Sequence, residues 1–328
     1  MKKSILLLFV ALATLLVGCQ IEDFEFLRGD QNDGVDYQFD RQNNTAIVTG
    51  CSRERTTPIT IPAKIRNKGK DFEVTSIANE AFVACNKIPA ITIPESVKSI
   101  GNEAFRACYG LTEVNIAKHS LLTYIGEEAF SSCNHLTAIT IPESVKSIGE
   151  EAFYNCSSLT DINIPRSVTS IGEETFYNCI SLTEITIPTN VTSIGEKAFC
   201  NCSNLTEITI PKNSQLTSIG EGAFSSCSSL SSIIIPTGMT YIGDYAFSNC
   251  HSLIAINIPK GMTYIGESAF SNCSSLTTVI CKATTPPSAG DYSFNYYGAT
   301  LYVPAEAVRT YKYTYPWSEF DSIKAFYN

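Results

Sequence analysis

A repeat solenoid, β-rich with short helical turns, is the fold that this 328-residue sequence predicts, and three observations predict it. Nine cysteines recur in one register, Cys85, Cys108, Cys133, Cys156, Cys179, Cys202, Cys227, Cys250 and Cys273, at steps of 23 residues with two of 25. A phenylalanine three places before each cysteine keeps the same step, from Phe82 through Phe176 to Phe270, and a leucine or isoleucine three places after it does likewise. Hydrophobic residues make up 44% and charged residues 17%, enough apolar side chain for a core and too little charge for an extended disordered chain. Self-similarity at such a period means coils that cannot fold singly. Each unit carries too few large apolar side chains to offset the entropy of ordering its backbone, so only stacking on neighbours stabilises it.

The elements follow in chain order. Lys2 and Lys3 precede an apolar run over 5–17, which reads as a signal peptide spanning 1–18. That run is short of the ~20 residues that cross a bilayer. Residues 19–34, with Asp23, Asp30, Asn32 and Asp33, read as Cys19 followed by a polar tether. Residues 35–75 alternate at Tyr37-Gln38-Phe39, Ala46-Ile47-Val48 and Ile59-Thr60-Ile61 without the Phe/Cys register, which predicts an N-terminal cap with a degenerate first coil.

Residues 76–282 then carry nine coils of 23–25 residues. In one of them Leu205-Thr206-Glu207-Ile208-Thr209-Ile210 alternates as a main strand, and Pro211 ends it because proline cannot donate to a ladder. Val191-Thr192-Ser193-Ile194 predicts a second, shorter strand, and residues 195–199 predict a turn entering one or two turns of helix. From Ala283 the register fails. Residues 283–328, with Trp317 and Phe320, read as an aromatic C-terminal cap, since a terminal coil would otherwise expose its core and a bare strand edge.

Two stretches carry resemblances. Leu16-Val17-Gly18-Cys19 resembles the bacterial lipobox, which implies acylation of Cys19 and attachment to the membrane through an N-terminal lipid; Gln20-Ile21-Glu22-Asp23 resembles the acidic tag that sends lipoproteins to the outer face of an outer membrane. The consensus Ser-Ile-Gly-Glu-x-Ala-Phe-x-x-Cys-x-x-Leu-x-x-Ile-x-Ile-Pro resembles the BspA-like leucine-rich repeats of bacterial surface proteins over residues 59–281, and residues 302–304 and 317–320 are similar to the tail that closes such arrays. The chain departs from that pattern at Ala78, in place of the turn glycine, and at Ala117, in place of the strand-ending proline. The resemblance implies a leucine-rich-repeat solenoid, displayed on the cell surface without enzymatic activity, that adheres to proteins, matrix or other cells.

Composition limits the chemistry. With 23 basic against 32 acidic residues the chain carries −9, a sign that repels phosphate backbones and argues against nucleic acid. Only His119, His135 and His251 are present, and no His-Glu-x-x-His, phosphate-cradling Gly-x-x-x-x-Gly-Lys or Gly-x-Ser-x-Gly elbow occurs. Zinc needs ligands converging on one point, whereas a 23-residue step lays thiols in a line with parallel Cβ vectors, also poor geometry for disulfides. The cysteine column therefore reads as buried free thiols, and Cys200 as the exposed one. Twelve acids fall in two adjacent columns, including Glu150, Glu151, Glu173 and Glu174, and read as charges placed at helix starts rather than a calcium ladder. No metal or cofactor is expected.

Stacking dictates every inward position, leaving the outward rows to specify a partner. The exposed row of the main strand offers Glu113, Asn115, Asp161, Asn163, Glu184, Thr186, Glu207 and Thr209 as candidate contacts for a protein or extracellular-matrix ligand; Tyr241 and Tyr264 form a second patch on the short strand. The alternative is a glycan-binding surface lipoprotein working beside an outer-membrane importer, for which exposed tryptophan or paired tyrosines would be the mark.

Overall fold

The computed structural model describes residues 24–28, 34–295 and 298–326; the stretch read as a signal peptide and Cys19 lie outside them. Their backbone winds into parallel ladders. Short strands step from Lys70–Ile77 to Ser99–Ile100, Tyr124–Ile125 and onward, and main strands from Ile59–Thr60 through Ala90–Ile93 and Glu113–Ile116 to Thr300–Pro304. The pairing of Glu184 with Glu207, Ile185 with Ile208 and Thr186 with Thr209 keeps identical columns opposite one another. Ile185 and Ile208 face the core while their glutamate and threonine neighbours stay exposed, the period-2 alternation of a half-buried strand.

The array runs to about eleven turns among the described residues rather than nine. One extra turn is the coil of Ile59–Thr60, which pairs in parallel with Ala90–Ile93. The other follows Ala283: Phe294 takes the next place in the phenylalanine column, 5.0 Å from Phe270, and Thr300–Pro304 extends the main ladder. The register is concealed there because no cysteine follows Phe294.

The expected helical turns are absent from the repeat. Residues 195–202 instead form tandem β-turns, with Cys200 N–H donating to Lys197 O at 2.9 Å and Cys202 N–H to Phe199 O at 3.3 Å. Lys197 and Asn201 take left-handed backbone angles, φ 48° and 62°, and the same two places recur at Glu151 and Asn155 and at Glu174 and Asn178. This alternation turns every second N–H outward to the next coil: Lys197 to Glu221 O, Phe199 to Ala223 O and Asn201 to Ser225 O, each at 2.8 Å. A helix would keep those bonds to itself. The turns thus form a third inter-coil ladder, and asparagine suits the left-handed place because its short polar side chain tolerates it. The asparagine amides stack too, Asn178 donating to Asn155 and Asn201 to Asn178.

Inside, the phenylalanines lie nearly parallel with ring centroids 5.0–5.6 Å apart from Phe82 to Phe294, the spacing of offset stacking. Beside them each cysteine of the column from Cys108 to Cys273 donates its thiol to the phenylalanine carbonyl of the preceding coil, as Cys133 does to Phe105 O and Cys202 to Phe176 O at 3.2 Å. Cysteine recurs because it is a small apolar side chain with a weak donor that meets a buried carbonyl.

Both ends are covered. Val35–Asp40 and Thr45–Cys51 pair antiparallel, and Thr45–Cys51 runs parallel to Lys70–Ile77, joining the cap to the short-strand ladder. Phe24–Arg28, within the stretch read as tether, pairs antiparallel with Val35–Asp40. At the far end a five-residue helix, Val308–Lys312, and a last parallel strand, Ser322–Phe326, bring Tyr311 and Trp317 to 0% exposure. Trp317 donates its indole N–H to Pro287 O at 2.9 Å.

Candidate binding face

The main-strand row forms one exposed face. Glu113, Asn115, Asp161, Glu184, Thr186, Glu207 and Thr209 all stand out from it, with Asn115 donating to Glu113 at 2.8 Å and Thr209 to Glu207 at 3.2 Å. Asn163 has a different task. Its side-chain oxygen accepts from Ile141 N–H at 2.9 Å and its nitrogen donates to Ile141 O at 2.8 Å, so the amide replaces the ladder one residue beyond the paired strands.

Asp161, Asn163, Glu184, Thr186 and Thr209 line a hollow of about 740 Å³, together with Glu143, Arg166 and Asn190; Glu113, Asn115 and Glu207 lie outside it. The hollow sits where the stack splays. The main-strand ladder ends at Asp161–Ile162 and restarts at Glu184–Thr186, and the short-strand ladder ends at Ser147–Ile148 and restarts at Ser170–Ile171. Across that seam the backbone-to-backbone bonds are those of the turn ladder, with Glu151, Phe153 and Asn155 N–H groups donating to Glu173, Thr175 and Tyr177 carbonyls at 2.7–3.0 Å, while the Ser167 hydroxyl donates to Glu143 O at 3.1 Å and the Asn190 amide to Arg166 O at 2.9 Å. Phe153 and Phe176 are 5.6 Å apart, the widest step in their column.

Thr175 supplies a physical reason. It occupies the column that is alanine at 152 and 198, is 1% exposed, and bonds its hydroxyl to Gly172 O at 3.0 Å. The extra methyl and hydroxyl need room in an interior packed at crystal density. A side-chain carbon built on Gly195 would meet Gly172 backbone at 2.7 Å, whereas one on Gly172 would first meet the Glu150 side chain at 3.2 Å, so the preceding coil has moved away. Sequence reasoning passed over this seam; the one signal was threonine in an alanine column.

The short-strand patch also forms. Tyr241 and Tyr264 stack with centroids 5.3 Å apart and planes within 15°, and Tyr241 is 41% exposed. A second pair, Tyr154 and Tyr177, stacks at 4.9 Å on the turns.

Beside that second pair runs the acid column. Since no helix exists there, no helix dipole draws the carboxylates; Glu151 N–H is itself committed to Glu173 O. Burial first, then Glu128, Glu174 and the adjacent acids, raise the Glu151 carboxyl above its ordinary value, and burial with Glu103 does the same at Glu128. Cations relieve the ends: Arg106 lies 2.6 Å from Glu103 and 3.8 Å from Glu128, and Lys197 lies 2.7 Å from Glu196 and 3.5 Å from Glu174. A raised carboxylate favours the fold when protonated, and that contribution fades as pH climbs through the raised value. Glu151→Gln is therefore expected to raise the melting temperature slightly at neutral pH, with the gain vanishing well below about pH 4; a loss at neutral pH in thermal melts would contradict the ladder electrostatics.

His135 Nδ1 contacts Tyr109 O at 2.5 Å and His251 Nδ1 contacts Asn272 O at 2.9 Å. Among the described residues no group of three or more His, Cys, Asp or Glu is placed to hold a metal. Burial and then Glu174 raise the Cys200 thiol above its ordinary value.

Comparison with known proteins adds the ancestry. The family profile described as BspA type leucine rich repeat region matches residues 75–206 and 169–300. The chain is similar to a leucine-rich repeat protein of T. pallidum, with 26% identity and a TM-score of 0.53 over 65% of this chain and 90% of that one. It also resembles a leucine rich cell surface protein of Faecalibacterium prausnitzii, 23% identical with a TM-score of 0.46 over 93% and 95% of the two chains. A third likeness is to the pneumococcal vaccine antigen PcpA, 19% identical with a TM-score of 0.49 over 93% and 99%. No curated protein matches.

Proposed function

The chain belongs to the BspA-type leucine-rich repeat family, and on that premise we propose that it is a lipid-anchored, cell-surface adhesion protein that holds a protein or matrix partner on its main-strand face. The hollow over the seam carries this reading. It breaks an otherwise flat row, gives a partner side chain somewhere to enter, and sets the carboxylates of Glu143, Asp161 and Glu184 around it. In a chain of −9 these acids favour a basic segment of the partner through charge complementarity. Rigid ladders on either side hold the groups in place, which lowers the cost of ordering them on binding. Attachment through Cys19 to the outer membrane rests on the lipobox resemblance. The reading is non-enzymatic, as befits a repeat scaffold.

The stacked pair Tyr241 and Tyr264 favours a second reading, a glycan platform beside an outer-membrane importer, since nearly parallel rings with centroids 5.3 Å apart form an aromatic patch, exposed at Tyr241, that a sugar could contact. One experiment separates the two. The chain is probed against a panel of extracellular and matrix proteins and against a glycan array. A protein ligand is expected, with affinity falling roughly tenfold or more when Glu184→Lys is combined with Glu207→Lys. The melting temperature should hardly move, because exposed charges contribute little to stability. Binding that ignores the glutamates and collapses with Tyr241→Ala and Tyr264→Ala would move the site to the short strand; capture of sugars alone would reverse the order of the two readings.

A further inference from the structure

The cysteine column follows one rule: each thiol donates to the phenylalanine carbonyl of the coil before, beginning with Cys108 on Phe82 O at 3.0 Å. Cys85 stands first in the column, and no phenylalanine of the register precedes it, so that carbonyl is missing for it. Its sulfur instead meets Cys51, the last residue of the cap strand Thr45–Cys51, with Sγ atoms 3.8 Å apart. This is the one thiol pair in direct contact among the described residues. From the geometry we infer that Cys51 and Cys85 form an oxidisable pair whose disulfide staples the N-terminal cap to the first coil of the Phe/Cys register.

Three features of the site support a bond here rather than a chance contact. The cap strand approaches the coil closely because residue 50 is glycine: it lies at φ 155°, and a side-chain carbon on it would sit 2.8 Å from Ala81 O, in the same turn as Cys85. A disulfide needs sulfurs about 2 Å apart, so from their 3.8 Å contact the two sulfurs have roughly 2 Å left to close. Accessibility divides the work, since Cys51 is half-buried and open to reagents while Cys85 is 2% exposed. Within the pair, the hydrogen bond from Cys51 holds the Cys85 thiol below its ordinary value against the effect of burial, with Arg53 assisting, while the same bond and burial raise Cys51. Elsewhere in the column burial pushes the thiols up, to about 12 at Cys156 and Cys273, which leaves them unreactive.

The oxidant is a small-molecule disulfide. Cys51 gives up its proton to water as its sulfur attacks one sulfur of the reagent; the reagent S–S bond breaks, and the leaving thiolate takes up a proton. Cys85, deprotonated, then attacks Sγ of Cys51 in the mixed disulfide and expels the second thiol. Two electrons pass from the cysteines to the reagent, and both protons end on its two thiols. The bond would close the loop 52–84, which contains Lys64–Asn67 and the strand Lys70–Ile77 that starts the short-strand ladder. Constraining that loop lowers the entropy of the unfolded end of a solenoid whose terminal coil has a neighbour on one side only.

The test incubates the full chain with oxidised glutathione, blocks remaining thiols by alkylation, and maps peptides by mass spectrometry without reduction. The expected result is a cross-linked pair of peptides containing Cys51 and Cys85, loss of two free thiols per chain, and release of two glutathiones. Oxidised protein should also resist proteolysis within 52–84, and Cys51→Ser, at a half-exposed place, should abolish both the cross-link and the resistance. Recovery of Cys51 as a stable glutathione adduct with Cys85 still alkylated, cross-links to other cysteines instead, or no disulfide at all would overturn the inference; so would a cross-link that leaves the proteolysis of 52–84 unchanged.

Discussion

Phe176→Ala is expected to destabilise the chain by about 3–5 kcal/mol, the range for emptying an aromatic site in a packed core. Phe176 is 0% exposed and lies between Phe153 at 5.6 Å and Phe199 at 5.1 Å. Its ring therefore serves three coils, and the cavity cannot collapse, because the turn ladder holds Phe153 N–H on Thr175 O and Phe176 N–H on Ala198 O at 2.8–2.9 Å. The position also adjoins the seam, where strand pairing is already lacking. Unfolding in two steps, with coils on either side of residue 176 melting apart, is accordingly the expected form of the loss in denaturant titrations. A shift no larger than that of an exposed substitution such as Glu173→Ala would contradict the stacking.

The second large effect separates two glycines of one column. Gly266→Ala is expected to cost about 1–3 kcal/mol or more, since the added carbon would stand 2.3 Å from the backbone of Gly243 and Asp244, and backbone tied into ladders on both sides cannot yield cheaply. Gly172→Ala should cost much less, because at the seam the first atom met is the flexible Glu150 side chain at 3.2 Å. Thermal melts of the two variants measure this difference. Equal losses would mean that the coils at 147–169 and 170–192 are as close as any other pair, and the hollow between Asp161 and Glu184 would lose its structural basis.

The columns were legible because a solenoid asks the same question of every coil. Phe, Cys, Leu and the two Ile positions face a fixed interior, so each must answer with the same side chain, and the period alone exposed the fold class, the strand frame and the need for caps. The final coil escaped because Phe294 has no cysteine after it, although the stack itself continues to that ring. The turns escaped for a different reason. Their composition suits a short helix, but neighbouring coils offer carbonyls at 2.8 Å spacing, and inter-coil bonds outweigh the local preference, leaving Glu151 and Asn155 left-handed.

The candidate face divides in the same way. Which residues point outward follows from alternation along one strand, and Glu113, Asp161, Glu184 and Glu207 are exposed as the period requires. Depth does not follow from alternation. Whether adjacent coils close or splay depends on a few atoms at Thr175, on how far Gly172 stands from the coil before it, and on Asn163 bridging to Ile141. The contact of Cys51 with Cys85 is likewise tertiary, since they lie 34 positions apart and the parallel pairing of the cap strand with Lys70–Ile77 brings them together. The amino-acid sequence by itself thus determined the repeating interior, because burial acts on each coil alike; the tertiary structure alone decided where the repetition breaks, because inter-coil spacing is a property of pairs of coils and is recorded in no single one.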